Sequence, residues 1–265
     1  MRLKIHHKTH YSFDSQVPYG LQQLRVTPLS NTQQNVLSWS VEVSGGKREV
    51  SYDDHHRNRV ELISFDKDTT DISIVSEGEV DVVETNGIFG AHKGPAPLWL
   101  YLNETERTKC GPGCREFVKQ AKGETQLEQL HALSAAIRDR VAYVIGASGA
   151  HTTAEDAIAD GRGVCQDHAH IFAACARQMG MPTRYVSGYL MLDDRIEQDA
   201  THAWAETHVD GVGWVGFDVS NGYSPDTRYV RVATGLDYRE AAPVSGLRFG
   251  TSGEAMSIDI QVQQQ

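Results

Sequence analysis

The stretch Gly161-Arg-Gly-Val-Cys-Gln-Asp-His-Ala-His170 reads as a glycine-broken loop that hands over to an apolar-periodic helix, with Cys165 in its first turn. The helix is expected to run to Met179, with Gly180 as its C-terminal cap and Pro182 just beyond. After it, 184–191 reads as a strand, and two more strands follow around His202 and Trp214. Residues 230–234 and 257–262 also look extended. Helices followed by a run of strands imply an α+β domain, not alternating βαβ units.

Before Cys165 the texture is helical. Leu127, Leu130, Leu133, Ile137, Val141 and Val144 recur at spacings of three and four, the stripe of an amphipathic helix. A shorter helix is expected from Thr152 or Thr153 to Gly161, with Thr152 and Glu155 in the form of a capping box. From Gly87 to Gly123, Gly94-Pro-Ala-Pro97 and Gly111-Pro-Gly113 mark a connecting stretch with short structure around Trp99. Residues before 90 alternate apolar and polar at 36–43, 60–65, 70–75 and 79–84, and also at Leu3 and Ile5. Turn-rich breaks at Ser44-Gly-Gly46 and 52–58 divide them, as in an antiparallel sandwich. The expected organisation is therefore a β-sandwich at 1–90, a connecting segment at 91–124 and an α+β core at 125–265.

The chain of 265 residues is 40% hydrophobic and 23% charged, the texture of a soluble globular protein. A formal charge of −10 argues against nucleic acid or an anionic membrane as partner. No apolar run is long enough to span a membrane, and the start Met1-Arg-Leu-Lys-Ile-His-His lacks the apolar core of a secretory signal, so a cytoplasmic location is expected. Cysteines 110, 114, 165 and 175 do not form a disulfide framework for a chain of this size. Cys110 and Cys114 read as an incidental loop pair and Cys175 as a small buried hydrophobe. Histidines 6, 7, 10, 55 and 56 read as solvated turn and strand residues.

The chemistry concentrates at Cys165. A free thiol titrates near 8.5, but unpaired N–H groups and the dipole at a helix start favour the thiolate. The same N–H groups can hold an oxygen that becomes negative under thiolate attack. A base must come from elsewhere, and Thr201-His-Ala-Trp204 and Trp214-Val-Gly-Phe-Asp218 supply His202 and an orienting Asp218. Joined as a hairpin, a two-residue loop at 210–211 would put His202 and Asp218 on opposite faces. A three-residue or bulged turn is therefore expected, with the pair directly opposite or diagonal. His168 is one helical turn on, without a carboxylate to orient it, and His170 points away and is expected to support packing. Asp167 reads as a helix-start acid, and Glu206 and His208 as half-exposed strand positions. A metal cluster of His168, His170, His202 and Asp218 is the competing reading, and it leaves the thiol unexplained.

Gly163-Val-Cys-Gln-Asp-His-Ala-His170, Pro182-Thr-Arg-Tyr-Val-Ser-Gly-Tyr189, His202-Ala-Trp204 and Gly213-Trp-Val-Gly-Phe-Asp218 together resemble the bacterial transglutaminase-like family, whose members are described as cysteine proteases. Leu24-Arg-Val-Thr-Pro28, 231–238 and Ala242-Pro243 extend the resemblance over nearly the whole chain. It implies an N-terminal β-sandwich and a papain- or transglutaminase-like core, with the helix-borne cysteine packed on an antiparallel sheet. It also implies Cys165 as nucleophile, His202 as base and Asp218 as orienting acid. One departure is Asp218-Val-Ser-Asn221, where relatives usually carry proline and threonine. The expected activity is thiol-dependent hydrolysis of amide bonds in a peptide or protein substrate. Transfer to an amine acceptor, or a non-catalytic binding module on the same fold, are the alternatives. No calcium-binding loop stands out, so no cofactor or catalytic metal is expected.

Overall fold

The computed structural model describes residues 1–198, 200–249 and 253–265. Strand β1 (Arg2–Val17) buries Leu3, Ile5, His7, Thr9, Tyr11 and Phe13, so alternate side chains face inward over most of its length. Next come β2 (Tyr19–Leu24), β3 (Gln34–Ser44), β4 (Gly46–Asp53), β5 (Arg59–Phe65) and β6 (Thr69–Val82). The sequence suggested two strands where β6 is one. Gly78 lets it continue, because a Cβ there would lie 2.1 Å from the Ser38 carbonyl oxygen and 2.6 Å from the Trp39 ring on β3. The close approach of β3 accounts for the glycine inside this strand.

Short β7 (Ile88–Gly90) and a 3₁₀ turn (Leu98–Leu102) lead to α1 (Pro112–Gln120), a helix that the sequence reading had left in the connecting segment. Pro112 opens it, and the Glu155 carboxylate accepts from the N–H groups of Gly111, Gly113 and Cys114. Tertiary contact thus organises a segment whose local composition looks like loop.

Helix α2 (Gln126–Arg140) has a complete capping box from Thr125 and Glu128. It ends before Val141 and Val144, because β8 (Ala142–Tyr143) leaves the helix to pair with β9 (Arg162–Gly163). Between these two strands, α3 (Ala154–Asp160) is capped by Thr153 with Asp156, one residue beyond the expected box. Glu155 is committed to α1 instead. Helix α4 (Cys165–Gln178) follows, then β10 (Thr183–Leu190), β11 (Glu197–Gln198), β12 (His202–Val209), β13 (Gly213–Phe217), β14 (Tyr229–Gly235), α5 (Tyr238–Ala241), β15 (Val244–Phe249) and β16 (Glu254–Gln264).

Two sheets form the sandwich, in the orders β11-β16-β1-β6-β3 and β15-β2-β5-β4. Tyr11, Phe13, Leu24, Ile63, Phe65 and Ile72 pack in one cluster there. A third sheet, β14-β10-β12-β13-β7, carries α4 on one face, with Phe172 stacked on Phe217 at 5.0 Å. Among the described residues every strand pairing is antiparallel except β8 with β9. The fold is thus α+β, with a helix-borne cysteine against an antiparallel sheet.

The chain ends interlock. β16 pairs with β1 from Leu3↔Gln264 to Phe13↔Glu254, and β15 pairs with β2. The division expected from sequence places both C-terminal strands with the core; their hydrogen bonds place them in the sandwich sheets. Conversely β7, from the N-terminal part, is the edge strand of the core sheet. Leu3, Ile5, Val80 and Val82 share a cluster with Tyr189 and Val230, which seals the two layers together. No helix among the described residues is long and apolar enough to cross a membrane.

Candidate active site

Three local devices put Cys165 at the start of α4. Gly161 adopts the left-handed conformation that terminates α3, at φ 63°. β9 is held beside β8, with Val144 N–H donating to the Gly163 carbonyl at 2.8 Å. Asp167 turns back from the first turn of α4 and accepts from Val164 N–H at 2.8 Å and from the Ser148 hydroxyl. Asp167 is the helix-start acid expected from sequence, fully buried, and burial pushes its carboxyl up.

His202 begins β12, and Asp218 follows the end of β13. The hairpin between them closes with Val209 opposite Gly213, a three-residue turn. Gly211 and Gly213 take φ values of 77° and 92°, and a Cβ on Gly213 would meet the Gly90 carbonyl oxygen at 2.2 Å. Pairing runs to Ala205↔Phe217, a register that makes His202 and Asp218 diagonal neighbours on one face. Their side chains meet: His202 Nε2 lies 2.6 Å from Asp218 Oδ2.

Asp218 is held hard. Besides His202, its Oδ2 accepts from Tyr229 Oη at 2.6 Å and Asn221 Nδ2 at 2.7 Å, and Oδ1 accepts from Asn221 N–H at 3.2 Å. Burial disfavours the carboxylate, but the His202 charge and these hydrogen bonds win, so its pKa is lowered. For His202, burial disfavours the imidazolium. The charges of Asp218 and Cys165, and hydrogen bonds to both, override it and push His202 up to about 10. With Nε2 on the carboxylate, Nδ1 is the nitrogen left to face the Cys165 sulfur.

The other candidates are accounted for. His168 Nε2 donates to the Val141 carbonyl at 2.9 Å, and Ser220 Oγ donates to its Nδ1 at 2.8 Å. Burial lowers its pKa, so it is a neutral strut tying α4 to the segment before β8 and to the loop after Asp218. His170 accepts from Tyr238 N–H at 3.1 Å beneath the site, as the packing role requires. The two rings are therefore committed elsewhere, and the four-residue metal cluster does not assemble. The departure at 218–221 has a use in this chain: Ser220 braces His168 and Asn221 braces Asp218.

Some sequence expectations fail here. Glu206 is fully buried, not half-exposed, because Arg184 at 2.5 Å and Arg231 at 3.3 Å neutralise it. Arg184 also lies 4.1 Å over the Trp214 ring, and no local pattern announces such a partner. Cys110, Cys114 and Cys175 are free and buried, and Cys110 and Cys114 belong to the entry of α1 and not to a plain loop. His7 and His56 are buried, the former between Tyr189 Oη at 2.8 Å and Thr9 Oγ1 at 3.1 Å.

Tyrosines are the functional neighbours that the sequence reading missed. Tyr143 sits on β8 opposite Gly163; burial and then the Cys165 charge, with a hydrogen bond to that thiol, push its hydroxyl up to about 12. Tyr185, in β10, is also raised, by burial first and then by Cys165. The available signal was position: Tyr143 lies off the apolar stripe, between Val141 and Val144, where the helix gives way to a strand. Cys165, His202, Tyr143 and Tyr185 open onto a cavity of about 680 Å³. Its far wall comes from the sandwich, through His7, Thr9 and Tyr11 of β1 and Met256 and Ile258 of β16.

Comparisons with known proteins agree with this architecture. The profile of the transglutaminase-like superfamily core matches residues 114–219, and that of the bacterial transglutaminase-like N-terminal region matches residues 3–81. An uncharacterized protein of Mycobacterium leprae is 27% identical over 278 residues, covering 98% of each chain. One of Mycobacterium bovis is 36% identical over 146 residues, covering 51% of this chain and 46% of that protein. A solved structure from Cytophaga hutchinsonii, described as a "Putative Cysteine Protease", superposes with a TM-score of 0.79 at 23% identity, covering 100% of this chain and 91% of its own. The chain thus carries a transglutaminase-like core behind a bacterial transglutaminase-like N-terminal region.

Proposed function

We propose that this transglutaminase-like chain is a thiol-dependent amide hydrolase, with Cys165 as nucleophile, His202 as acid–base and Asp218 as the residue that orients His202. The observation that carries the reading is the linked set at the cavity wall. His202 is bound to Asp218 at 2.6 Å and is raised to about 10 by Asp218 and Cys165 together. A histidine kept as imidazolium beside a thiol is one half of the ion pair that a cysteine nucleophile needs.

In the first step the Cys165 sulfur attacks the carbonyl carbon of a peptide or isopeptide bond held in the cavity. N–H groups in the first turn of α4, with the Tyr143 hydroxyl beside Cys165, would donate to the resulting oxyanion. His202 passes its proton to the departing amine, which leaves a thioester on Cys165 and a neutral imidazole. That imidazole then takes a proton from water as the water attacks the thioester, and the acid product leaves. Asp218 fixes the ring orientation throughout and stabilises the imidazolium. No step calls for a cofactor. Water is the acceptor we favour because it needs no dedicated site.

A peptide-library digest with and without an added primary amine tests the reading. The wild type should release acid products, unchanged by the amine, and Cys165→Ala should release none. Incorporation of the amine would replace hydrolysis by acyl transfer, and equal activity in Cys165→Ala would remove the thiol from the chemistry.

A further inference from the structure

The turn between β4 and β5 brings two consecutive histidines together. The Asp54 carboxylate accepts from the N–H groups of His56 and Asn58, both at 2.9 Å, and Arg57 takes a left-handed φ of 63°. In this tight turn the rings of His55 and His56 do not diverge as neighbouring side chains usually do. Their centroids lie 4.0 Å apart. Glu240 of α5 reaches the same point, with Oε2 at 2.9 Å from His56 Nε2. One ligand atom from each of the three lies within 4.8 Å of the other two.

Each group is prepared for the same task. His56 is buried, and the Tyr101 hydroxyl lies 3.1 Å from its Nδ1, which fixes the ring with Nε2 facing Glu240. A fixed polar partner on the second ring nitrogen is what orients metal-binding histidines. The Glu240 carboxylate is held from a second side by Leu236 N–H, which donates to its Oε2 at 2.7 Å. His55 is exposed, which leaves an approach from solvent.

We infer that His55, His56 and Glu240 form a binding site for a divalent metal ion of the zinc type, where the β4–β5 turn meets α5. Two imidazoles and one carboxylate suit zinc, with a water as fourth ligand. Ligands about 2.1 Å from a tetrahedral ion stand roughly 3.4 Å apart. The His56–Glu240 contact therefore opens by a few tenths of an ångström as the ion takes Nε2, while the ring keeps its proton on Nδ1 and donates it to Tyr101 Oη. The ion ties a turn of the sandwich to the helix whose Tyr238 lines the cavity, so its role is to fix the two layers at the rim of the cleft. This site is separate from the Cys165 chemistry and does not depend on it.

Calorimetric titration of Zn²⁺ into Cys165→Ala protein tests the inference, in a background where that thiol cannot take the metal. One equivalent should bind with micromolar or tighter affinity, and Zn²⁺ should raise the melting temperature. Adding His55→Ala should weaken binding at least about tenfold and abolish the thermal shift. Glu240→Gln should do the same, but Glu240 also accepts from Leu236 N–H, so the exposed His55 carries the decisive arm. Co²⁺ bound to the same protein should show no thiolate charge-transfer band. Absence of binding, binding unchanged by His55→Ala, or a thiolate band would each overturn the site.

Discussion

At the scale of single residues, the charges of Asp218 and Cys165 share one imidazole, that of His202. Asp218 does more than touch His202. It is clamped by Tyr229 and Asn221 as well, which fixes its carboxylate beside the ring. Replacing Asp218 by Asn removes the charge that holds His202 up while keeping the shape. The His202 ring, followed by NMR, should then titrate well below the value of about 10 that it has with Asp218 present. An unchanged titration would mean that the two groups are not electrostatically linked. Cys165, His202 and Asp218 were legible as candidates because each sits in a short motif with recognisable local structure. Tyr143 and Tyr229 were not, because their relevance comes from β8 pairing with β9 and from β14 packing beside the Asp218 loop. Those are long-range contacts that no spacing encodes.

At the scale of elements, the helices show where local signals suffice and where tertiary structure overrides them. α4 begins at Cys165 and ends within a residue of the expected Met179, and the three-residue turn of β12 and β13 is one of the two turns that placing His202 and Asp218 on one face allows. The start of α3 is instructive because two threonines compete. Thr152 accepts from Gly149 N–H in the preceding turn, whereas Thr153 accepts from Asp156 N–H and forms the box. Thr153→Ala should therefore cost about 1 kcal/mol in denaturant unfolding, the usual worth of such a cap. Thr152→Ala should cost clearly less, and the reverse order would put the cap back where the sequence pattern suggests. Helix α1 was invisible for a related reason. Its first turn is satisfied by Glu155, a residue of another helix.

At the scale of the whole molecule, the sandwich and the core share strands, an apolar seam and the walls of one cavity. His7 stands at that seam, bridging β1 to Tyr189 of β10. Burial lowers its pKa to about 4, and burial with the charges of Arg107 and Arg177 lowers that of His170 to about 3. A histidine kept neutral in the fold works against stability once the unfolded chain can take up the proton. Stability should thus fall as pH drops below about 6.5, and keep falling to about 4 for His7 and about 3 for His170. His202 contributes the opposite way, with stability intact at low pH and lost as pH rises through about 10. Thermal unfolding between pH 7 and 4 should show this decline, and His7→Gln should flatten it by up to one proton. A melting temperature flat across that range would contradict the burial of these rings. The interlocking itself was beyond sequence reading, since β15 and β16 have ordinary strand patterns and only their partners reveal that they belong to the sandwich sheets.

The central claim is that Cys165 is an activated thiol paired with His202, and its reactivity is the most direct measure. Iodoacetamide should label Cys165 selectively near pH 6, because its thiol opens onto the cavity, whereas burial pushes the Cys110 thiol up to about 11 and Cys114 and Cys175 are wholly buried. In His202→Ala the labelling should shift to clearly higher pH. A Cys165 that stays inert up to pH 9, or reacts identically without His202, would contradict the claim.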